Sequence, residues 1–505
     1  MKIKVLLFVF ACGFILNLAN TNLLIVVICI GLAPLFIVFH NNSKKASLSV
    51  GLVYGIGIGI GMFFWMIKGI SHYTGNSFYY GIFVGLASCL FLGLYFAFLS
   101  WITKLCWISN SASKWLLISN RICIAAIWTI SELGLAELLK SFPLHYFRIG
   151  FPFVKNIYTI QLASFGGLSL LTFLTVLINL FTADSYVYKK IKYLAYSVSI
   201  IIVMFVIGSV SFYSFKPQLT GKPFKVAIVS DNTNPETKWN KENGNAFAYK
   251  YFQLCKDAVA LNPDFIIWPE TALPWTYSTD DDLLNEIIKI SNTKKLTHVI
   301  GINHENSQDK KLYNSVFYIN NQNQVTGIYN KQILLKGIEE PLGSFVVPFL
   351  SQEGFVMSRG KSQLPIKTSF GKAGNLICNE VVVENCAANQ VKAGSNFLFN
   401  LSNDGWFKDN YISDLHFYYA RLQAVENRKD ISIANNCGFN AIISSNGSII
   451  SQKKGAMPTV VSGTIYPNNN KTPFINLPYL FPIFLLLFIS SYFIFINLKL
   501  PKNMP

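Results

Sequence analysis

Cys378 of this 505-residue sequence lies in a sequence context typical of a nucleophilic cysteine. The apolar residues Leu376 and Ile377 lead into it, Glu380 follows two residues later, and an apolar run comes after that carboxylate. This pattern predicts a buried strand that ends in a sharp turn and presents the thiol. Such a thiol needs a base that takes its proton and a cation that holds the oxyanion formed when it attacks a carbonyl.

Candidates for the base and the cation end two other predicted strands. Glu270 closes the run 264–269, and Lys331 follows a predicted hairpin of strands 312–319 and 324–329. A glutamate, a lysine and a cysteine at the ends of separate strands predict one active site. The alternative is that the cysteine is a small hydrophobic core residue, as most buried cysteines are.

The rest of the polar region predicts the elements that would position these residues. Strands are predicted at 225–230, 265–268, 298–302, 397–401, 431–434, 440–443 and 448–451, and helices at 247–261, 281–291 and 412–428. Strands and helices alternate first and antiparallel pairs follow, which predicts a layered α/β domain with a mixed sheet or sheets. We place this domain at residues 215–475.

The chain as a whole is too apolar for an ordinary soluble protein, since 52% of all residues are hydrophobic and 13% are charged. A helix needs about 20 apolar residues to span a bilayer. Eight runs reach or approach that length: 5–20, 22–40, 48–67, 79–103, 115–137, 157–182, 194–214 and 477–498. They predict a transmembrane domain of seven helices at 1–214, and a C-terminal helix with a cytoplasmic tail at 476–505.

The net charge of +17 is not evidence for nucleic-acid binding, because many lysines and arginines flank the apolar runs. In such places basic residues set membrane topology. If the spans alternate, the basic connections share one side, both termini are cytoplasmic, and 215–475 lies on the outer face. Neither paired Cys spacing nor Cys/His spacing predicts a metal site.

Two apolar segments outside the predicted spans allow different interpretations. Segment 334–355, just after Lys331, is either ordinary core or a loop that enters lipid or covers an acyl chain. Segment 141–155 is rich in Phe and Tyr, which predicts an interfacial segment on the outer leaflet.

Two acidic residues near the outer end of the fifth predicted span also need an interpretation. These residues are Glu132 and Glu137, and an ionisable residue within a membrane span is a functional candidate by default. The alternative is a structural ion pair with Arg148 or Lys140.

Together these features resemble the apolipoprotein N-acyltransferase family, whose members carry a nitrilase-like (carbon–nitrogen hydrolase) domain on a membrane base. The resemblance extends over nearly the whole chain, and the family's motifs match at 263–271, 329–331, 377–380, 400–407 and 416–428. It implies a multi-pass α-helical membrane domain of about eight spans and an α/β domain that is an α-β-β-α layered sandwich.

The resemblance also implies roles for single residues. Glu270 would be the general base, Lys331 would steady the tetrahedral oxyanion, and Cys378 would be the nucleophile. Glu339 and Glu380 match two further family glutamates that support the site. The residues implied to bind substrate are Trp239, which matches a tryptophan in a mobile loop, Asn403 and Trp406.

The sequence departs from the family pattern in two places. Asn379 stands after the cysteine, where the family usually has tyrosine. Residues 336–338 are Lys-Gly-Ile, where the family usually has Pro-Phe-Gly before the glutamate.

The implied reaction moves an acyl chain from a membrane phospholipid, through a Cys378 thioester, to the N-terminal α-amine of the diacylglyceryl-cysteine of apolipoproteins. This would be the last step of bacterial lipoprotein maturation, on the periplasmic face of the inner membrane, without metal or cofactor. A membrane-anchored nitrilase-type amidase that acts on a soluble substrate is the alternative enzyme. A transporter or receptor whose outer domain only binds ligand is the alternative from another class.

Overall fold

The computed structural model describes residues 3–499 except 75–77, 109–112, 143–146, 235–236, 238–241, 293–294, 309, 337, 341–356, 363 and 408–410. The chain divides into two compact units. A membrane unit comprises Met1–Leu139, Leu144–Ser214 and Leu477–Pro505, and a catalytic unit comprises Lys140–Pro143 and Phe215–Asn476. Trp239, most of the apolar segment 334–355 and the side chain of Trp406 lie outside the described residues.

The membrane unit is helical. Its helices are α1 (Ile3–Thr21), α2 (Ile25–Gly31), α3 (Ala33–Asn41), α4 (Lys44–Phe63), α5 (Trp65–Thr74), α6 (Phe78–Cys106), α7 (Lys114–Leu138), α8 (Ala163–Tyr188), α9 (Ile191–Ser214) and, last in the chain, α15 (Leu480–Lys499). Among the described residues, five helices are long and apolar enough to cross a bilayer, at 44–63, 81–106, 114–138, 159–188 and 191–214. Shorter apolar stretches lie at 3–19, 25–40 and 480–496, so the predicted count of eight spans stays a prediction.

The second predicted run is two helices rather than one. Helices α2 and α3 are separated at Leu32, two residues before Pro34. Asn179 of α8 accepts hydrogen bonds from the backbone N–H groups of Leu32 and Ala33 at 2.9 and 3.0 Å, and donates one to the Ile28 carbonyl at 2.9 Å. Backbone groups freed by a break in an apolar environment need such partners, which explains why a buried asparagine faces the break.

The prediction of an interfacial segment at 141–155 is wrong for Phe147, Phe151 and Phe153, whereas Phe142 is half-buried. Phe151 and Phe153 are fully buried in the short 3-10 helix Phe151–Lys155, and Phe147 is buried as well. Glu132 explains this inward placement, because its carboxylate accepts hydrogen bonds from Arg148 Nε at 2.9 Å and from the Ile149 N–H at 2.7 Å. For Glu132 the structure therefore contains the alternative named above, a structural ion pair with Arg148.

The catalytic unit is built on two sheets. The first has the order β13-β1-β2-β4-β5-β6, with β3 beside β4, and the second has the order β12-β11-β10-β9-β8-β7. The strands are β1 (Phe224–Ser230), β2 (Phe265–Ile267), β3 (Leu273–Thr276), β4 (Thr297–Glu305), β5 (Leu312–Asn320), β6 (Val325–Asn330), β7 (Ile366–Thr368), β8 (Gly371–Ile377), β9 (Phe397–Asn403), β10 (Ile431–Asn436), β11 (Phe439–Ile443), β12 (Ile449–Lys454) and β13 (Thr459–Ile465).

Helices cover the outer faces of these two sheets. The helices are α10 (Gly244–Ala260), α11 (Asp282–Ser291), α12 (Glu384–Lys392), α13 (Ile412–Asn427) and the single turn α14 (Pro473–Asn476). An apolar core that includes Phe265, Val316, Phe399 and Ile442 joins the inner faces, while α10 and α11 pack on the first sheet and α12 and α13 on the second. The predicted α-β-β-α sandwich is confirmed.

Every strand and helix predicted for the catalytic unit is present, with ends shifted by a few residues. The predictions missed the short β3 and β7, the terminal β13, and helices α12 and α14. Strand β13 pairs with β1 along its whole length, from Phe224 opposite Ile465 to Ser230 opposite Thr459. Residues 459–465 are rich in Val, Thr and Ile and lie between two prolines, a local strand signal that the sequence predictions did not use.

Candidate active site

The candidate residues lie at strand ends that meet in the catalytic unit. Strands β1, β2 and β4 are parallel in the first sheet, and β8, β9 and β10 are parallel in the second. Glu270 lies just beyond the carboxyl end of β2, Cys378 directly follows β8, and Lys331 directly follows β6. Carboxyl ends of parallel strands are the usual position of sites in α/β proteins.

Cys378 occupies a tight turn, as the sequence predicted. Its φ is +52°, in the left-handed region that a non-glycine residue seldom adopts, and it begins the 3-10 helix Cys378–Val382. Such strain is maintained only where the surroundings enforce it, and it clusters at functional sites. The thiol residue is 7% exposed.

Two carboxylates surround the ammonium group of Lys331. Lys331 Nζ lies 2.8 Å from Glu339 Oε1 and 3.5 Å from Glu270 Oε1, and the lysine is 1% exposed. The second oxygen of Glu339 accepts the Leu335 N–H at 2.9 Å, and the second oxygen of Glu270 accepts the Asn403 N–H at 3.1 Å. Both carboxylates are therefore fixed at two points, with a cation between them.

Glu270 is placed by a close approach of the backbone to Gly301 of β4. A Cβ at Gly301 would lie 2.3 Å from the Pro269 carbonyl oxygen and 2.6 Å from Glu270 Cα, which no side chain tolerates. We expect Gly301→Ala to displace Glu270 and to lower the rate of Cys378 acylation by about 10²-fold, as misplacements of about 1 Å do. Gly134→Ala is the control, because a Cβ there meets nothing within 4 Å; equal rates in the two variants would contradict this account of Glu270 placement.

The charges of the site follow from burial and from these contacts. Burial raises the pKa of Glu270, although Lys331, the Asn314 amide and the Cys378 thiol all oppose the rise. Burial and the nearby Glu270 charge raise the pKa of Cys378 well above its usual value. Burial disfavours the ammonium, but Glu339, Glu270 and Cys378 outweigh that effect and raise the pKa of Lys331. The site thus holds a neutral thiol beside a buried carboxylate and a fixed cation.

Glu380 organises the turn that carries the cysteine. One of its oxygens accepts the Ile377 N–H at 2.8 Å and the Tyr329 hydroxyl at 2.9 Å, and the other accepts the N–H groups of Gln332 and Ile333 at 2.6 and 3.1 Å. Glu380 is fully buried. It therefore joins the turn after β8 to the segment that begins with Lys331.

Removal of this carboxylate should destabilise the chain. Glu380→Ala leaves three N–H groups and one hydroxyl without their acceptor, and each buried orphan costs about 1–3 kcal/mol. We expect the free energy of unfolding to fall by about 3 kcal/mol or more, measured by urea titration of the detergent-solubilised chain. Glu286→Ala, at a side chain that is 52% exposed, is the control and should change it by less than about 0.5 kcal/mol; similar losses in both variants would refute the assignment.

Asn379 and Asn403, two residues singled out from the sequence, have clear positions in the structure. Asn379 is buried, and its side chain donates to the Ile333 carbonyl at 3.3 Å, so it too faces the segment after Lys331. Asn403 donates its backbone N–H to the Glu270 carboxylate at 3.1 Å. A role of Asn403 or Trp406 in substrate binding stays a prediction, as does that of Trp239.

Sequence reasoning missed Asn314, and it placed Asp404 and His416 in matched motifs without giving them a role. Asn314 donates to Glu270 Oε1 at 2.7 Å, and Asp404 forms a buried pair with His416 at 2.8 Å beside Asn435. Burial opposes ionisation of Asp404, but His416 and Asn435 outweigh it and lower the pKa of this carboxyl. The available signal was a lone asparagine within the apolar strand 312–319, a polar residue that a buried strand does not need for packing.

Comparisons with known proteins agree with this architecture. The carbon–nitrogen hydrolase family model matches residues 225–469, and the model of the apolipoprotein N-acyltransferase N-terminal domain matches residues 5–181. Apolipoprotein N-acyltransferases of three bacteria are each 26% identical to the chain. The alignments cover 86% of the chain and 84% of the relative for Geobacter metallireducens, 92% and 93% for Wigglesworthia glossinidia brevipalpis, and 87% and 86% for Vibrio cholerae.

Proposed function

The chain belongs to the apolipoprotein N-acyltransferase family, and we propose that it moves an acyl chain from a membrane phospholipid to the N-terminal α-amine of a diacylglyceryl-modified apolipoprotein. The observation that carries this proposal is the buried site in which the ammonium of Lys331 lies 3.5 Å from the carboxylate of Glu270, with the thiol of Cys378 close enough for its charge to act on both groups. Thiol, base and cation are the groups that acyl transfer through a covalent intermediate requires.

In the first half-reaction, Glu270 takes the thiol proton while Cys378 sulfur attacks the ester carbonyl of the phospholipid. Lys331 stabilises the oxyanion of the tetrahedral intermediate, and Glu339 holds the ammonium in place at 2.8 Å. Collapse breaks the bond to the glycerol oxygen, which takes the proton from Glu270. The products are a thioester on Cys378 and a lysophospholipid.

In the second half-reaction, the α-amine of the acceptor attacks the thioester. Glu270 takes a proton from the amine, Lys331 again holds the oxyanion, and collapse returns a proton to the sulfur as the amide forms. The 7% exposure of Cys378 favours this outcome, because a site that excludes water protects the thioester from hydrolysis.

The membrane arrangement is part of the proposal. Five described helices have the length and hydropathy of spans, and three shorter apolar stretches bring the number to the eight predicted from sequence. With the basic residues of the connections on the cytoplasmic side, the catalytic unit faces the periplasm of a bacterial inner membrane. Both the phospholipid and the lipidated acceptor then keep their chains in the bilayer during the reaction.

A phospholipid with a labelled acyl chain tests the proposal against its alternatives. Purified chain should carry the label on Cys378 within one turnover, and should leave a soluble short-chain amide intact. An anchored amidase would hydrolyse the amide and take no label from the lipid, and a receptor without chemistry would do neither. The match of the family's N-terminal domain to residues 5–181 already disfavours a membrane part that is only an anchor.

A further inference from the structure

Asn314 of β5 connects the two carboxylates that surround Lys331. Its Nδ2 atom donates to Glu270 Oε1 at 2.7 Å and to Glu339 Oε1 at 3.3 Å. Lys331 Nζ contacts the same two oxygen atoms, at 3.5 and 2.8 Å. Two nitrogen atoms therefore link Oε1 of Glu270 to Oε1 of Glu339: the cationic Nζ of Lys331 and the neutral Nδ2 of Asn314.

Stability alone does not account for an asparagine at this position. Asn314 is 3% exposed, and its Oδ1 atom is buried and has no hydrogen-bond partner among the described residues. A buried acceptor without a partner destabilises a fold. A residue that destabilises the fold in this way while it binds two carboxylates is typical of a functional position, because functional sites often include residues that are unfavourable for stability.

We propose that Asn314 is a positioning residue that holds Glu270 and Glu339 in one geometry and keeps Glu270 available to accept the proton of the Cys378 thiol. The inference deepens the proposed function and rests on its assignment of Glu270 as the base. Two carboxylates around one ammonium repel each other, and two N–H bonds from a neutral amide offset that repulsion without changing the net charge of the site.

The sign of the effect follows from the groups that face Glu270. Lys331, Asn314 and the Cys378 thiol favour its ionised form, whereas burial and the charge of Glu339 disfavour it. Asp404, held with His416 at the end of β9, adds negative charge on the side of the thiol. Loss of the Asn314 amide therefore raises the pKa of Glu270 further, and the base is available only at higher pH.

Alkylation of Cys378 by iodoacetamide as a function of pH tests this inference without any acyl donor. Peptide-resolved mass spectrometry of the full chain in detergent separates Cys378 from the other cysteines. In Asn314→Ala the acid limb of the rate profile should move up by about one pH unit, the size of one hydrogen bond to a charged group. In Asn314→Asp, which keeps the size but adds a carboxylate, the shift should be larger.

Three controls make the result specific. Asn303→Ala removes the same amide from the position opposite Asn314 in β4 and should keep the wild-type limb. Glu270→Gln should abolish the acid limb of the alkylation profile, and this result would assign the limb to titration of Glu270. Asn314→Ala combined with Glu339→Gln should return the limb toward lower pH, because the repelling carboxylate is then neutral.

Other outcomes would overturn the inference. A limb that stays at the wild-type pH in Asn314→Ala, with the rate lowered equally at every pH, would make Asn314 a packing residue. A shift of the same size in Asn303→Ala would make the effect a general one of the sheet. Failure of phospholipid to label Cys378, with the alkylation limbs as expected, would instead refute the proposed acyl donor and leave the role of Asn314 intact.

Discussion

Replacement of Cys378 by alanine is expected to abolish both the acyl-enzyme and the transfer of acyl chains, with a loss of about 10⁴-fold or more in turnover. Among the described residues of the site, no other group can form the thioester, and a neutral hydroxyl is a far weaker nucleophile, so Cys378→Ser should be inactive as well. The measurement is mass spectrometry of the intact chain after incubation with phospholipid, together with the turnover rate. Normal turnover in Cys378→Ala would exclude the thioester mechanism.

Two other cysteines of the catalytic unit provide the matched controls. Cys255 of α10 and Cys386 of α12 are both buried, and burial raises the pKa of the Cys255 thiol to about 12. Neither lies in the turn that follows β8. We expect Cys255→Ala and Cys386→Ala to keep turnover close to wild type, so a loss confined to Cys378 cannot be a general effect of removing a buried thiol.

Replacement of Lys331 by methionine should lower kcat by about 10²–10³-fold, the usual cost of losing an oxyanion stabiliser. Methionine keeps an unbranched apolar stem but lacks the charge. Without the cation, Glu270 and Glu339 repel each other and the base is protonated over more of the neutral range. The rate of the single acylation event, measured by rapid quench with labelled phospholipid, reports the chemical step directly.

Arginine at position 331 should not restore activity. The ammonium of Lys331 is a compact charge that is 1% exposed and fits between two carboxylates, whereas a guanidinium is planar and larger. A fully active Lys331→Arg would show that the lysine is only one half of a structural ion pair. An acylation rate in Lys331→Met close to that of the wild type would show the same.

Sequence reasoning succeeded for the candidate site where the pattern was local. Glu270 and Cys378 each follow apolar residues that end abruptly, and Lys331 follows a predicted hairpin, so their placement at strand ends was predictable from the chain alone. Glu339 was identified only through resemblance, since it lies in an aperiodic segment eight residues after Lys331. Asn314 was missed, because its role depends on two carboxylates that come from other parts of the chain.

In the fold, too, features with a local sequence pattern were predicted, and features that depend on distant parts of the chain were not. Period-two and helical patterns predicted both faces of the sandwich, but the partner of β13 could not be predicted, because β13 pairs with β1 from the other end of the catalytic unit. In the membrane unit, hydropathy predicted where helices lie and did not predict which aromatic residues point inward. Phe151 and Phe153 are buried because Glu132 and its partners hold the preceding connection inside the unit.

A chase of the acyl-enzyme tests the central claim most directly. The chain is labelled on Cys378 with an isotopically marked phospholipid, freed of excess lipid, and mixed with a synthetic peptide whose N-terminal cysteine carries a diacylglyceryl group. We predict that the label leaves Cys378 at the rate at which it appears as an amide on the peptide α-amine, and that an N-acetylated peptide receives none. Release of the label as free fatty acid, or amide formation without loss of label from Cys378, would contradict the account.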